Sequence, residues 1–442
     1  MLDFDIVVIG TGMAGQPAAS WCAKAGKRVA IVDALPYGGT CMLRGCDPKR
    51  VMVEAAYVVD RAAPLLGQGI DRVPHIDWRA LQARKRSFTD PVPQSIEESF
   101  KRIGIEMLHG EAHIVGDGGL EVDGKRLWAE NVVIATGARP RDLAFPGADL
   151  LTTSTQFLDL YELPKRIAFV GGGYIAFEFA GLAARSGAKV SILHAGDHAL
   201  EGFDPDLADM LVENYRGIGV DVVLNARVGS VQKAHDGLEV TSEAGTFEAD
   251  LVVHAAGRVP DVERLRLDDA DVRYGPHGVE VDETMRSITN PRFFAAGDAA
   301  SIGLPLTPVA SRQGAIAARN ILGESVAFDG TVTPSVVFAE PPLASVGLRE
   351  ADIGPGAGGV EVVFNDTRDW FTSRRLAQAH SGSKVLVDKR SGLILGAHVL
   401  GACAEELINL FALTMRHGID RDGLRELLTD YPTVSSDLQY MV

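Results

Sequence analysis

The chain is expected to be an α/β protein with two Rossmann-like dinucleotide-binding domains and a C-terminal α+β domain, and three observations predict this. Short apolar runs lead twice into a glycine-rich turn that opens a helical stretch, once near the start and once near residue 170. The length, 442 residues, suits about three domains. Beyond Thr331 no third turn of this kind occurs, and strand-like and helix-like patterns mix.

Ile6 to Ile9 reads as a buried strand, followed by Gly10, Gly12 and Gly15, a helical stretch to Ala25, and a second strand from Val29 to Val32 that ends in Asp33. Gly10 permits the tight turn, Gly12 lets the backbone approach a pyrophosphate, and Gly15 lets the helix pack on the strand. The helix N-terminus then offers N–H groups to phosphates, and Asp33 offers a carboxylate to ribose hydroxyls. The pattern recurs with Ile167 to Val170, the turn Gly171-Gly172-Gly173, a helix to about Arg185, and the strand Val190 to Leu193, ending at His194. Two such units are either a duplicated fold with one degenerate pocket or sites for two cofactors that exchange electrons. Between them, Pro140 to Pro164 reads as a connection. After them, Lys384 to Val387 reads as an alternating strand and Glu405 to Met415 as an amphipathic helix, which suits a packing or dimerisation domain.

The segment from Gly38 to Lys49 follows Asp33 directly and holds Cys41 and Cys46, five residues apart at the start of a predicted helix and within disulfide reach. A helix N-terminus with Arg44 and Lys49 nearby is expected to lower a thiol pKa from about 8.5, so the pair reads as a redox disulfide. A zinc site needs two further ligands, and Cys22 and Cys403 lie far away in apolar surroundings, so no metal is expected. The formal charge of −16 repels phosphate backbones, which disfavours nucleic acid as a partner. No window of 18 apolar residues occurs, and Met1 to Asp5 lacks the features of a leader, so a cytoplasmic protein without a membrane span is expected.

These residues resemble the flavin-dependent pyridine nucleotide disulfide reductases, such as glutathione reductase, dihydrolipoamide dehydrogenase and mercuric reductase. The resemblance runs from the Gly-Gly-Thr-Cys-x4-Cys-x-Pro-Lys segment through Ala135-Thr136-Gly137, Gly173-Tyr174-Ile175-Ala176-x-Glu178 and Ala256-Gly257-Arg258-x-Pro260 to Phe294-Ala-Ala-Gly297-Asp298, and covers nearly the whole chain. It implies that residues 1–150 and 281–330 form an FAD-binding domain around an inserted NAD(P)-binding domain, 151–280, with 331–442 as the dimerisation domain of a homodimer. FAD would be held by Gly10, Gly12, Gly15, Asp33, Gly39, Thr40, Lys49, Ala112, Thr136, Gly137, Asp298 and Thr307, the last near the flavin ring. Gly171, Gly173, Tyr174, Ile175, His194, Gly257 and Arg258 would serve the nicotinamide nucleotide, with Tyr174 as an aromatic gate. The implied reaction passes a hydride from NAD(P)H to the flavin and opens the Cys41–Cys46 disulfide through Cys46, which frees Cys41 to attack a small-molecule acceptor. Lys49 would pair with Glu178 beside the flavin.

The pattern breaks in four places. Thiol-exchanging members carry a His-Pro-Thr segment whose imidazole, from the partner subunit, protonates the leaving thiol and whose glutamate follows three residues after the Thr. Here Tyr431 stands at the histidine position and Ser436 at the glutamate position, with Asp437 next. A phenol titrates near 10 and does not shuttle protons at neutrality as imidazole does. His398 and His417 offer no evident substitute, so an acceptor that needs little acid catalysis is expected, and whether Tyr431 or Asp437 takes any acid–base role stays open. Mercuric reductases also place an aromatic residue there, so metal-ion or quinone reduction stands as an alternative, although the terminal Cys pair of those enzymes is missing. A slow flavin-based sensor is a third reading. Ala315 stands where glutathione reductases bind substrate with Arg, and Leu43-Arg44 replaces the usual Asn-Val between the cysteines. At the end of the second unit's second strand, His194 stands in place of an acid, and His194 and His198 could accept a 2′-phosphate when protonated, which tilts the expectation from NADH to NADPH.

Overall fold

The computed structural model describes residues 2–116, 118–354 and 358–442. The chain divides into two compact units. One comprises Met1–Lys49, Arg84–Arg141 and Arg258–Gly330, and the other Arg50–Ala83, Asp142–Gly257 and Thr331–Val442.

The first unit is built on strand β1 (Leu2–Ile9), helix α1 (Gly15–Lys24) and strand β2 (Val29–Asp33). Ile6 pairs with Val29 and Ile9 with Val32 in parallel. Strands β3 (Glu106–His109), β4 (Ala112–Val115), β5 (Gly119–Val122) and β6 (Lys125–Ile134) complete a sheet of order β3-β2-β1-β6-β5-β4. The far end of β6 pairs in parallel with Phe293–Ala295, Val132 lying opposite Phe293, so the chain returns 161 positions later to lie beside β6. The central stretches of β1 and β2, Ile6–Ile9 and Val29–Val32, are continuously apolar and not alternating, because both faces are covered. Ile6, Val7, Val8 and Ile31 are all solvent-free, and each such side chain contributes about 1.5–3 kcal/mol on burial.

The second unit has a four-stranded parallel sheet in the order Asp221–Val223, Lys189–Leu193, Arg166–Val170, Leu251–His254, with the helix Tyr174–Arg185 as its crossover. Its C-terminal part is a five-stranded antiparallel sheet. The helix Ala404–Arg416 buries Ala404, Leu407, Ile408 and Phe411, the spacing of one helical face. The alternation expected at Lys384 to Val387 is absent, since Gly382 to Val387 are all buried in a central strand. Lys384 is held there by Asp204 (3.0 Å), Asp206 (2.5 Å) and Glu350 (2.8 Å), so its charge is compensated where hydrophobic patterning would place an apolar residue.

Candidate active site

The first glycine turn is shaped by backbone contact. Gly10 has φ +108°, and a Cβ there would sit 2.2 Å from the Ala135 carbonyl oxygen. A Cβ on Gly15 would lie 1.9 Å from the Gly10 oxygen, so the helix rides directly on the turn. Asp33 accepts from the Thr11 amide (2.8 Å), the Thr11 hydroxyl (2.6 Å) and the Leu35 amide (2.9 Å). Gly12 and Gly39 face each other across this turn, and a Cβ on Gly39 would come 2.4 Å from the Gly12 Cα. The Thr136 hydroxyl oxygen is buried with no hydrogen-bond partner. Asp298 is pushed above the usual carboxylate range by burial, which Arg258 opposes. Thr40 is exposed and Gly137 partly buried. Ala112 is buried at the start of β4, opposite Val122.

The cysteine segment does not form the single helix start expected from its sequence. Cys41 lies in the short helix α2 (Gly39–Arg44), and Cys46 is the first residue of α3 (Cys46–Ala62). Gly45 breaks the path between them, and a side chain there would meet the Thr40 carbonyl at 2.9 Å. Both cysteines are free thiols, and one hydroxyl touches both sulfurs: Thr307 Oγ1 donates to Cys41 Sγ at 3.1 Å and lies 3.4 Å from Cys46 Sγ. Cys41 in turn donates to Asp47 Oδ1 at 3.9 Å, a long bond suited to sulfur.

The expected lowering of a thiol pKa by Arg44 and Lys49 is not what the structure shows for Cys41. Its pKa is strongly raised, first by the hydrogen bond with Cys46, then by burial and the negative charges of Cys46 and Asp47, with the Thr307 bond acting the other way. Lys49 in the first unit and Glu178 in the second are both buried, and Glu178 Oε1 accepts the Phe338 amide at 2.8 Å.

The second turn repeats the first with different chemistry. Gly171 has φ +112°, and a Cβ there would be 2.3 Å from the Ala255 oxygen. Gly173 caps the following helix with open space around its Cβ position, and Ala176 takes the third place fully buried. Tyr174 is half exposed and Ile175 partly buried. His194 Nδ1 accepts the Gly172 amide at 3.1 Å, and its Nε2 lies 2.8 Å from the His198 carbonyl. Glu201 Oε1 lies 3.4 Å from the same Nε2. Both ring nitrogens of His194 therefore face the turn and its loop. His198 faces Asp209 at 3.5 Å. Gly257 is exposed, and Arg258 donates to the Ala138 carbonyl.

At the C-terminal end Tyr431 is 80% exposed. Ser436 Oγ donates to the Thr433 carbonyl at 2.6 Å, and Asp437 accepts the Thr372 hydroxyl within its own unit. Burial raises Asp437, but its carboxylate is already engaged with Thr372. His398 is buried and pushed below its usual range, with Nδ1 at 2.8 Å from Ser345 Oγ and Nε2 at 3.0 Å from the Leu348 carbonyl, a core histidine. Asp47 went without a role in the sequence reading, and the available signal was a carboxylate directly after the second cysteine. Among the described residues, no group of three or more His, Cys, Asp or Glu could hold a metal ion, and no helix is long and apolar enough to cross a membrane.

Comparison with known proteins agrees with this geometry. Residues 4–314 match the pyridine nucleotide-disulphide oxidoreductase family, and residues 333–442 match the dimerisation domain of the same family. The chain is 33% identical to a glutathione reductase from Burkholderia cepacia, covering 98% of this chain and 97% of the relative. It is 31% identical to a dihydrolipoyl dehydrogenase from Geobacillus stearothermophilus, covering 98% and 94%. Among solved structures, it is similar to the HOCl-induced flavoprotein disulfide reductase RclA from Escherichia coli, with a TM-score of 0.88, 28% identity and 99% of each chain covered. A Cu(II) complex of that protein is similar with a TM-score of 0.89, 28% identity, and 100% of this chain and 99% of that chain covered. The chain belongs to the pyridine nucleotide-disulphide oxidoreductases, as an FAD-dependent enzyme that takes electrons from NAD(P)H.

Proposed function

We propose that Cys41 and Cys46 are the working dithiol of this enzyme, and that it reduces a disulfide or another soft electrophile without a partner-subunit imidazole. The observation that carries this reading is the shared hydroxyl: Thr307 lies 3.1 and 3.4 Å from the two sulfurs, while an exposed Tyr431 stands at the imidazole position. Cys46 is the sulfur that receives electrons and Cys41 the one that attacks the acceptor.

The residues of the first turn fit a flavin dinucleotide. Gly12 and Gly39 make a cradle that a side chain would fill, and the buried Thr136 hydroxyl lacks a partner. Gly10, Gly15, Asp33, Thr40, Lys49, Ala112, Gly137, Asp298 and Thr307 complete that set. When bound, FAD supplies the two-electron relay between nicotinamide and sulfur. Residues 1–150 and 281–330 are proposed as its domain, 151–280 as the nicotinamide domain and 331–442 as the interface of a cytoplasmic homodimer with a shared active site. Gly171, Gly173, Tyr174, Ile175, His194, Gly257 and Arg258 serve the nicotinamide nucleotide. NADPH is the proposed donor, because the strand is followed directly by His194 and not by an acid, with the Glu201 carboxylate (Oε1) 3.4 Å from that ring.

The test is thiol counting and turnover in purified holoenzyme. Anaerobic NADPH is expected to uncover two additional titratable thiols, and Cys46→Ser and Cys41→Ala should each lower disulfide turnover at least about a hundredfold. Full disulfide activity in both variants overturns the reading. Metal-ion reduction is a second reading, favoured by the Cu(II) complex of the similar RclA and by Tyr431. Cys41→Ala that keeps quinone turnover but loses Cu(II) reduction would assign the metal ion to the thiols.

A further inference from the structure

The family resemblance leaves one chemical step without a residue. When a thiol attacks a disulfide, the departing sulfur leaves as an anion unless a proton meets it, and Tyr431 does not supply one as imidazole would. The structure places a different group at the reacting sulfur. Asp47 follows Cys46 in the first turn of α3, and its Oδ1 accepts from Cys41 Sγ at 3.9 Å. We propose that Asp47 is the catalytic acid–base of this enzyme, taking the proton of Cys41 during attack and returning it to the leaving thiol. The inference rests on the reading above, that Cys41 attacks a disulfide.

Three features support it. With Thr307 donating to Cys41, its oxygen is open to accept from Cys46, so Cys46, Thr307, Cys41 and Asp47 can form one directional chain of donors ending at a carboxylate. Burial raises the Asp47 carboxyl, and the bond from Cys41 opposes this. A raised carboxyl is a better proton carrier near neutrality than an ordinary one. The groups around the thiol come from both neighbouring elements, namely Cys46 and Asp47 from α3 and Thr307 from the helix Thr307–Ile321. Arg44 ends α2 and Lys49 follows in α3.

As Cys41 sulfur bonds to one substrate sulfur, the substrate S–S bond breaks and its electron pair leaves on the other sulfur. The Cys41 proton passes to Asp47 and on to that sulfur, so the first product departs as a neutral thiol. Cys46 then attacks Cys41 and expels the second sulfur, which takes the Cys46 proton. Two electrons and two protons leave the dithiol, one disulfide forms between Cys41 and Cys46, and two thiols are released.

The experiment mixes two-electron-reduced holoenzyme with disulfides whose leaving thiols differ in acidity. Aromatic disulfides release an anion that needs no proton at neutral pH, and dialkyl disulfides release one that does. Asp47→Asn is expected to lose rate with both disulfides, since both lose the base at Cys41, but at least about tenfold more with dialkyl ones, whose leaving sulfur also needs the returned proton, and Asp47→Glu to recover part of the loss. Iodoacetamide labelling of Cys41 in reduced Asp47→Asn should be as fast as in the wild type or faster, since a negative charge beside the thiol has been removed. Equal losses with both disulfides, or no loss with either, overturn the proposal. Dialkyl disulfide turnover that survives Cys41→Ala would instead overturn the underlying reading, so the two failures are distinguishable.

Discussion

The two glycine turns use one backbone device in two chemical versions. Gly10 and Gly171 share a left-handed φ and the same close approach to a carbonyl of a neighbouring strand. They diverge at the third position, where Gly15 lies against the Gly10 carbonyl while the second turn carries the methyl of Ala176. They diverge again at the strand end, where Asp33 accepts three donors through a carboxylate and His194 accepts one through a ring nitrogen. Closing such a turn therefore needs an acceptor but not a charge. The strand-end charge is then available to select the ligand.

The largest expected effect tests the third position. Gly15→Ala should cost at least about 3 kcal/mol or yield no soluble flavoprotein, because a Cβ 1.9 Å from a carbonyl forces strand and helix apart. Ala176→Gly should cost only about 1 kcal/mol. Thermal unfolding and visible absorbance of the purified variants compare them, and equal costs would break the contrast.

Next comes the strand end. Asp33→Ala should lose about 1–3 kcal/mol and release flavin more readily, since two backbone amides and the Thr11 hydroxyl lose their acceptor. Flavin release on dilution reads this out, and unchanged retention would mean that the acid serves neither turn nor ligand. At the matching place, His194→Glu should raise the ratio of kcat/KM for NADH over NADPH about tenfold, equivalent to about 1.4 kcal/mol of discrimination. A ratio that stays put would remove the strand end from donor choice.

The smallest change is expected for Gly173→Ala. Its Cβ position is open, so stability should stay within about 0.5 kcal/mol. The KM for the nicotinamide donor should still rise if Gly173 lies where the nucleotide binds, as proposed. A lowered unfolding temperature would show that the second turn is as tightly packed as the first.

Much of this organisation was legible in contiguous residues. Strands β1 and β2 and their counterparts Arg166–Val170 and Lys189–Leu193 announce themselves as apolar runs, and glycines at fixed spacing mark the turns between strand and helix. The break at Gly45 was not legible, because it depends on how closely the Thr40 carbonyl approaches. The burial of Lys384 ran against its pattern for a related reason: its three carboxylate partners come from segments as far as 180 residues away in the chain.

By itself, the order of residues determined the two nucleotide turns, the neighbouring cysteines and the missing imidazole, since each is written in local spacing and residue type. Only the tertiary structure decided which groups meet the sulfurs. Thr307 reaches Cys41 across 266 positions, His194 turns its lone pair onto Gly172, and the Cys41 thiol points at Asp47. Hydrogen-bond direction and desolvation are properties of an assembled site, and they arise only when distant segments close around the same few atoms.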